Sequence, residues 1–324
     1  MIKILLIFIL SHLIGDFITQ TKYVNENKKV FTNSIYSKGL FIHVLHHLII
    51  TNLSLLIFGE VSWENFISSI LIAVIHYVID YFKVKKEDKW IQKINNKNAK
   101  DKFLIYYLFE KRTTYFLLDQ SLHIISIYLL LYINNTNLTL NYIHSQFKIF
   151  LFSNTLTMDS DVRIISIFIV LVLVTFTSAY LISNIMEDFR EVKPQQEVAA
   201  GIEASEHTEN INILKDYLNA NKVDLIIDES YSFKDEYTIK YQYQKYSEPS
   251  KNSRGTYIGI IERLLVVIFI ILNVYQGLIL LGAMKTLSRF KQFEDKNFAE
   301  YYLVGTLLSI ILGLCLGFLM NRLF

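Results

Sequence analysis

The sequence predicts an all-α polytopic membrane protein of about seven helices, and three observations predict it. The 324 residues are 52% hydrophobic and include only two prolines. Several apolar runs approach the length that crosses a hydrocarbon core of ~30 Å. Between the fifth and sixth runs the chain turns polar over residues 187–256, and the prolines, Pro194 and Pro249, fall near the two ends of that stretch. The expected organisation is a transmembrane core at 1–186, a soluble insert at 187–256 and C-terminal membrane helices at 257–324.

Taken in order, the apolar runs place helices at residues 2–20, 37–58, 65–83, 113–133, 164–186, 260–283 and 300–320. "MIKILLIFIL" has the character of a secretory signal, but no small-residue cleavage site follows, so the segment is expected to be retained. In the insert, "HTENINILKDYLNANK" suits a short amphipathic helix, while "VDLIID" and "YTIKYQYQKY" suit strands of a small α+β appendage. The single Cys315 excludes a disulfide framework and a thiolate metal cluster. No phosphate-binding loop or Gly-rich fingerprint is present.

The formal charge is only +2, and the basic residues gather in particular loops, which points to topology and membrane lipids rather than nucleic acid. Residues 21–38 hold four Lys and residues 83–112 hold ten Lys or Arg, whereas "GEVSWEN" holds none and residues 134–163 only Lys148 and Arg163. The positive-inside rule therefore puts the two basic loops and the insert in the cytoplasm and the N-terminus outside. The membrane is expected to be a bacterial cytoplasmic membrane, since the bias toward Ile, Lys and Asn looks bacterial. Residues 284–299, with Lys285, Arg289, Lys291 and Lys296, break the alternation, so either the sixth run re-enters the membrane or the helix count is off by one. Nothing in the sequence sets an oligomeric state.

The first helix carries "SHLIGDFITQ", an ionisable stripe in which His12 and Asp16 are one turn apart. An Asp at a helix centre opposes insertion by roughly 2.5 to 3.5 kcal/mol, so such a group marks function. The next three helices repeat the spacing with His43 and His47, His76 and Asp80, and Asp119 and His123. An i, i+4 pair lies on one helix face, the geometry by which helical His pairs share a metal. In an antiparallel bundle all four pairs fall at one depth on the cytoplasmic side. One such pair alone is ordinarily hydrogen-bonded packing. Four on consecutive helices at one level predict a centre that holds up to two divalent ions. Imidazole with carboxylate and no thiolate suits Zn(II), with Mn(II) or Fe(II) as alternatives, and disfavours Mg(II) and Ca(II). Such a site with an open position lowers the pKa of bound water toward ~7 and makes hydroxide available.

Asp80 and Asp119 are the candidates to bridge two ions or act as general base, because Asp16 also suits the orientation of His12. Lys83, three residues after Asp80, is placed at the cytoplasmic lip, where it meets a substrate phosphate or simply snorkels to the interface. Gln20 and Gln120 adjoin the ligand pairs as hydrogen-bond partners. For Gly15 we favour small-residue packing over a close approach at the site. His46 points about 100° away from His47 and is assigned to the surroundings. His144 and His207 fall in predicted loops and receive no role.

"HLIGDFITQ", "HVLHH", "HYVIDYFK" and "DQSLH" together resemble an uncharacterised family of bacterial polytopic membrane proteins marked by HxxGDFxxQ, HxxxH, HxxxDxxK and DQxxH. The resemblance continues through "GTYIGIIER", "AMKTLSRF" and "EYYLVGTLLS", with "AMKT" departing where a small Ser often follows the Lys. It draws attention to Glu262, Arg263, Lys285 and Arg289, as interfacial groups or as an ion pair docking the C-terminal helices on the core. The His/Asp arrangement is similar in kind to that of membrane-bound metal-dependent hydrolases. The expected function is hydrolysis of a phosphoester or other ester in a lipid head group or small molecule. A divalent-metal transporter or sensor, and a metal that only staples the helices, are the alternatives.

Overall fold

The computed structural model describes residues 2–28, 36–94, 112–153, 158–188, 198–201, 223–228, 240–245, 253–294 and 296–324. The chain forms two units, residues 1–189 with 256–324, and residues 190–255.

In the larger unit the described residues are helical: α1 (Ile2–Phe17), α2 (Lys22–Lys28), α3 (Lys38–Ile57), α4 (Trp63–Ile94), α5 (Arg112–Asn134), α6 (Leu140–Phe152), α7 (Ser160–Asp188), α8 (Ser253–Ile271), α9 (Gln276–Leu287) and α10 (Lys296–Asn321). Five are long and apolar enough to cross a membrane: α3, Trp63–Lys85 of α4, α5, α7 and Phe298–Asn321 of α10. Their faces are arranged for a lipid solvent. Ile49, Leu53, Val74, Val78, Leu122, Ile125 and Leu129 are exposed, while His43, His76, Asp80, Asp119 and His123 on the same helices are buried. A water-soluble bundle has the opposite polarity.

α1 is the axis of the first half of the chain. Its Leu5, Ile7, Phe8, Leu10 and Leu13 are buried with Leu55 of α3, Ile127 and Leu131 of α5, and Ile165 and Val172 of α7. Polar contacts hold the two ends of this bundle. At one, Lys3 pairs with Glu60 at 3.1 Å and with Asp161 at 2.7 Å. At the other, Asp188 at the end of α7 accepts from the Arg112 and Thr113 amides (2.7 and 3.0 Å), satisfying orphan donors at the start of α5.

Three expectations need correction. The first helix ends at Phe17 instead of residue 20, and the basic loop after it contains α2. Residues 134–163, read as a loop, contain α6, so His144 is helical. Its start is capped by Thr139, whose hydroxyl accepts from the Tyr142 amide at 3.1 Å. The run at 260–283 is two helices. Asn273 takes a left-handed conformation (φ 57°), the Val274 amide bonds the Phe269 carbonyl at 2.8 Å, and the Asn273 amide bonds the Ile270 carbonyl at 3.1 Å. These are the paired bonds of a Schellman stop, which apolarity alone does not reveal.

α9 then folds back along α8, because Gly277 lies against Phe269 and Lys285 pairs with Glu262 at 2.6 Å. α10 runs parallel to α8, with Gly313 against Val266 and Ser309 against Arg263. The basic residues at 284–299 therefore follow a helix that doubles back along α8.

α7 is interrupted by a π-helical turn at Leu173–Thr177. Such a turn loosens the backbone ladder, and here Arg263 completes it. Its Nε donates to the Val174 carbonyl at 2.7 Å and its Nη2 to the Thr175 carbonyl at 3.1 Å. Glu262 and Lys285 form the ion pair, within the α8–α9 hairpin, whereas Arg263 docks the C-terminal helices on α7.

In the smaller unit, three antiparallel strands are described: β1 (Val198–Gly201), β2 (Val223–Asp228) and β3 (Lys240–Lys245), in the order β1-β3-β2. Val198 faces Tyr243, and Val223 faces Lys245. The helix expected at 207–222 lies outside the described residues, as do His207 and residues 95–111 of the basic loop expected at 83–112, whose residues 83–94 belong to α4.

Candidate metal centre

The last turn of α1, the first half of α3, the middle of α4 and the first half of α5 meet at one level. The eight predicted residues converge there. His12, His43, His47, His76, Asp80, Asp119 and His123 are buried and Asp16 nearly so. The imidazoles turn their Nε2 atoms toward the carboxylates. Asp16 Oδ1 lies 3.1 Å from His47 Nε2, 3.2 Å from His43 Nε2 and 3.7 Å from His76 Nε2. His12 Nε2 lies 3.7 Å from Asp16 Oδ2. Asp80 is approached by His43 (3.5 Å), His76 (3.8 Å) and His123 (3.5 Å), and His123 is 3.6 Å from Asp119.

The donors fit a divalent ion. A tetrahedral centre with bonds of ~2.0–2.1 Å keeps its ligand atoms about 3.3 Å apart. The separations here bracket that figure, including 3.1 Å between the Nε2 atoms of His43 and His76. His12 Nε2 and His123 Nε2 are buried without a hydrogen-bond partner, so they remain available as ligands. The residues form three groups: His12, Asp16, His47 and His76; His43, His76 and Asp80; Asp80, Asp119 and His123. His76 and Asp80 each belong to two of them. The first and third groups share no residue.

This geometry belongs to the first half of the chain. Residues 4–151 match the family model described as "Protein of unknown function (DUF3307)". The matched stretch runs from α1 into α6 and contains all eight residues. No curated protein and no solved structure matches the chain.

Two lysines complete the centre. Lys83 donates to Asp119 at 2.6 Å and is about one-third exposed, so the predicted substrate lysine is tied to a ligand carboxylate. Lys28, which sequence reasoning missed, is buried and donates to Asp80 at 3.0 Å. It sits at the end of α2, whose last turn rests on the start of α3. There a Cβ on Gly39 would collide with the Asn27 and Lys28 backbone. The Ser37 hydroxyl donates to the Asn27 and Lys28 carbonyls (2.8 and 3.0 Å) while also capping α3. The signal available in sequence was a Ser-x-Gly at the start of a helix after a basic loop, too common to single out.

Gln120 donates to Asp16 Oδ2 at 2.8 Å, as expected of a residue beside a ligand pair. Gln20, with its amide reoriented, reaches the Asp16 backbone carbonyl at 2.9 Å, not the carboxylate. His46 is half-buried and outside the centre. Gly15 is not simple packing: a Cβ there would overlap the His47 imidazole. The absent side chain is what lets α3 bring His47 to Asp16. Gly15→Ala is therefore expected to weaken metal affinity by about 10-fold or more, the scale of losing a group that orients a ligand. Metal titration of the variant checks this, and an unchanged affinity would return Gly15 to packing.

Proposed function

We propose that the protein is a membrane-embedded, divalent-metal-dependent hydrolase acting on a phosphoester or other ester at the cytoplasmic face of a bacterial inner membrane. The observation that carries this reading is the asymmetry of the centre. The group His12, Asp16, His47 and His76 offers four donors deep in the bundle, the number that closes a structural site. The group Asp80, Asp119 and His123 offers three and adjoins the partly exposed Lys83. Three protein ligands leave a position open, as catalytic sites require. A bound Zn(II), or Mn(II) or Fe(II) in its place, supplies Lewis acidity and a water acidified toward neutral pH. Asp80 and Asp119 would hold the ion and accept protons at their carboxylate oxygens, and the Lys83 ammonium would attract a substrate phosphate as a point charge. A site at head-group level makes a lipid head group the natural substrate.

Beside the centre, a cavity lined by His12, His47, His76, Thr51 and Ser69 has room for about one water, roughly 10 Å³. The direct test is hydrolysis by the purified, metal-loaded protein of a panel of phospholipids, soluble phosphodiesters and carboxylic esters. Metal-dependent, chelator-sensitive turnover of at least one member is expected. No turnover, with uptake of Zn(II) into proteoliposomes, would replace the reading by transport.

The topology that serves this reading has six spans, α1, α3, α4, α5, α7 and α10, with α8 and α9 together as a re-entrant hairpin. The loops at 21–38 and 83–112, the insert and residues 288–295 are then cytoplasmic. Single cysteines introduced at Asn96 and Gln292 are expected to resist a membrane-impermeant reagent in intact cells and to react after permeabilisation. Labelling of both in intact cells would invert the topology.

A further inference from the structure

We propose that the centre holds one divalent ion constitutively and takes a second only together with a dianionic oxyanion such as a phosphate group. This deepens the hydrolase reading and rests on the metal binding it assumes. The two carboxylate environments differ in kind. Asp16 is met by neutral donors, Gln120 at 2.8 Å, His47 at 3.1 Å and His43 at 3.2 Å, and no lysine contact to it is described. Asp80 and Asp119 are each held by an ammonium group, Lys28 at 3.0 Å and Lys83 at 2.6 Å. The Lys28–Asp80 pair is buried on both sides, so solvent screens it little.

Charge then sets the order of filling. With the imidazoles neutral, as ligation requires, three carboxylates against two ammonium groups leave the centre at about −1. One divalent ion in the His12, Asp16, His47 and His76 group brings it to about +1 and displaces nothing. A second ion alone raises it to about +3 in a low-dielectric interior and competes with Lys28 and Lys83 for the same oxygens. Entering with a phosphate dianion, the second ion adds no net charge. The displaced ammonium groups also gain a partner, because phosphate oxygens accept from them. The protein's lysines thus act as resident counterions of the second site, exchanged for metal plus anion. By linkage, the anion must bind more tightly when metal is present, by the same factor.

The test is equilibrium dialysis of the full chain in detergent against buffered Zn(II), with bound metal read by elemental analysis, with and without methylphosphonate. One equivalent is expected without the anion and two with it. Lys28→Met is expected to bind the second ion without methylphosphonate, with an affinity raised about 100-fold, within the range of coupling between linked ligands. Lys83→Met at the partly exposed rim should act in the same direction, should Lys28→Met fold poorly. Two equivalents in the unmodified protein without anion, or a second-ion affinity unaltered in the folded lysine variants, would overturn this inference and leave the hydrolase reading standing. No bound metal under either condition would overturn both.

Discussion

Alanine at position 76 is expected to strip the centre of most of its metal, lowering affinity by at least about 100-fold, more than the 10–100-fold typical of losing a group that only orients a ligand. His76 belongs to two of the three ligand groups, and its Nε2 lies 3.1 Å from His43 Nε2. Its removal opens both groups at once. The side chain is buried, and its ring packs against those of His47 and His123 at 4.0 and 4.1 Å between centroids. The vacancy therefore loses contacts as well as a nitrogen ligand. His47→Ala and His43→Ala should also lose metal, each from one group. Bound metal contributes to stability, so added Zn(II) is expected to raise the melting temperature of the unmodified protein and to leave that of His76→Ala unchanged. Metal content by elemental analysis at buffered free Zn(II), beside thermal unfolding, checks both. Equal metal content in His76→Ala and the unmodified protein would remove His76 from the ligands.

The convergence of the candidate ligands was legible in the sequence because helices convert spacing into direction. Four i, i+4 pairs on consecutive apolar helices leave little room for another arrangement, and the structure brings all eight residues together. Lys28 was not legible, because its role depends on a short helix folding back onto Gly39 and Ser37, a tertiary contact with no periodic signature. Gly15 was misjudged for the same reason: what a Cβ would meet is a property of α3, not of α1. The hydropathy of residues 260–283 is continuous, yet one left-handed Asn273 divides the segment, since a helix stop is decided by backbone hydrogen bonds that apolarity does not report. The same break turns the chain back along α8 ahead of the basic residues at 284–299. The π turn in α7 became meaningful only beside Arg263, which uses the carbonyls it presents.

Asparagine at Asp80 or Asp119 is expected to reduce hydrolysis by 10²–10⁴-fold, the range of a lost general base, while lowering metal content far less. Asparagine keeps the size and one oxygen ligand but removes the negative charge that bridges ions or accepts a proton. The two positions differ in a second respect. Asp119 faces Lys83, which is about one-third exposed and can turn to solvent. Asp80 faces the buried Lys28, so Asp80→Asn strands an ammonium group in the bundle. Breaking a buried pair from one side costs about 3–5 kcal/mol, so Asp80→Asn should unfold at lower temperature than Asp119→Asn. Adding Lys28→Met to Asp80→Asn separates the two effects, because it removes the stranded charge without restoring the carboxylate. The double variant should recover stability and remain inactive, a non-additivity that a double-mutant cycle measures. Turnover, metal content and melting temperature on the same preparations decide it: hydrolysis retained in both single Asn variants would end the catalytic assignment, and equal stability of the two would end the pairing of Lys28 with Asp80.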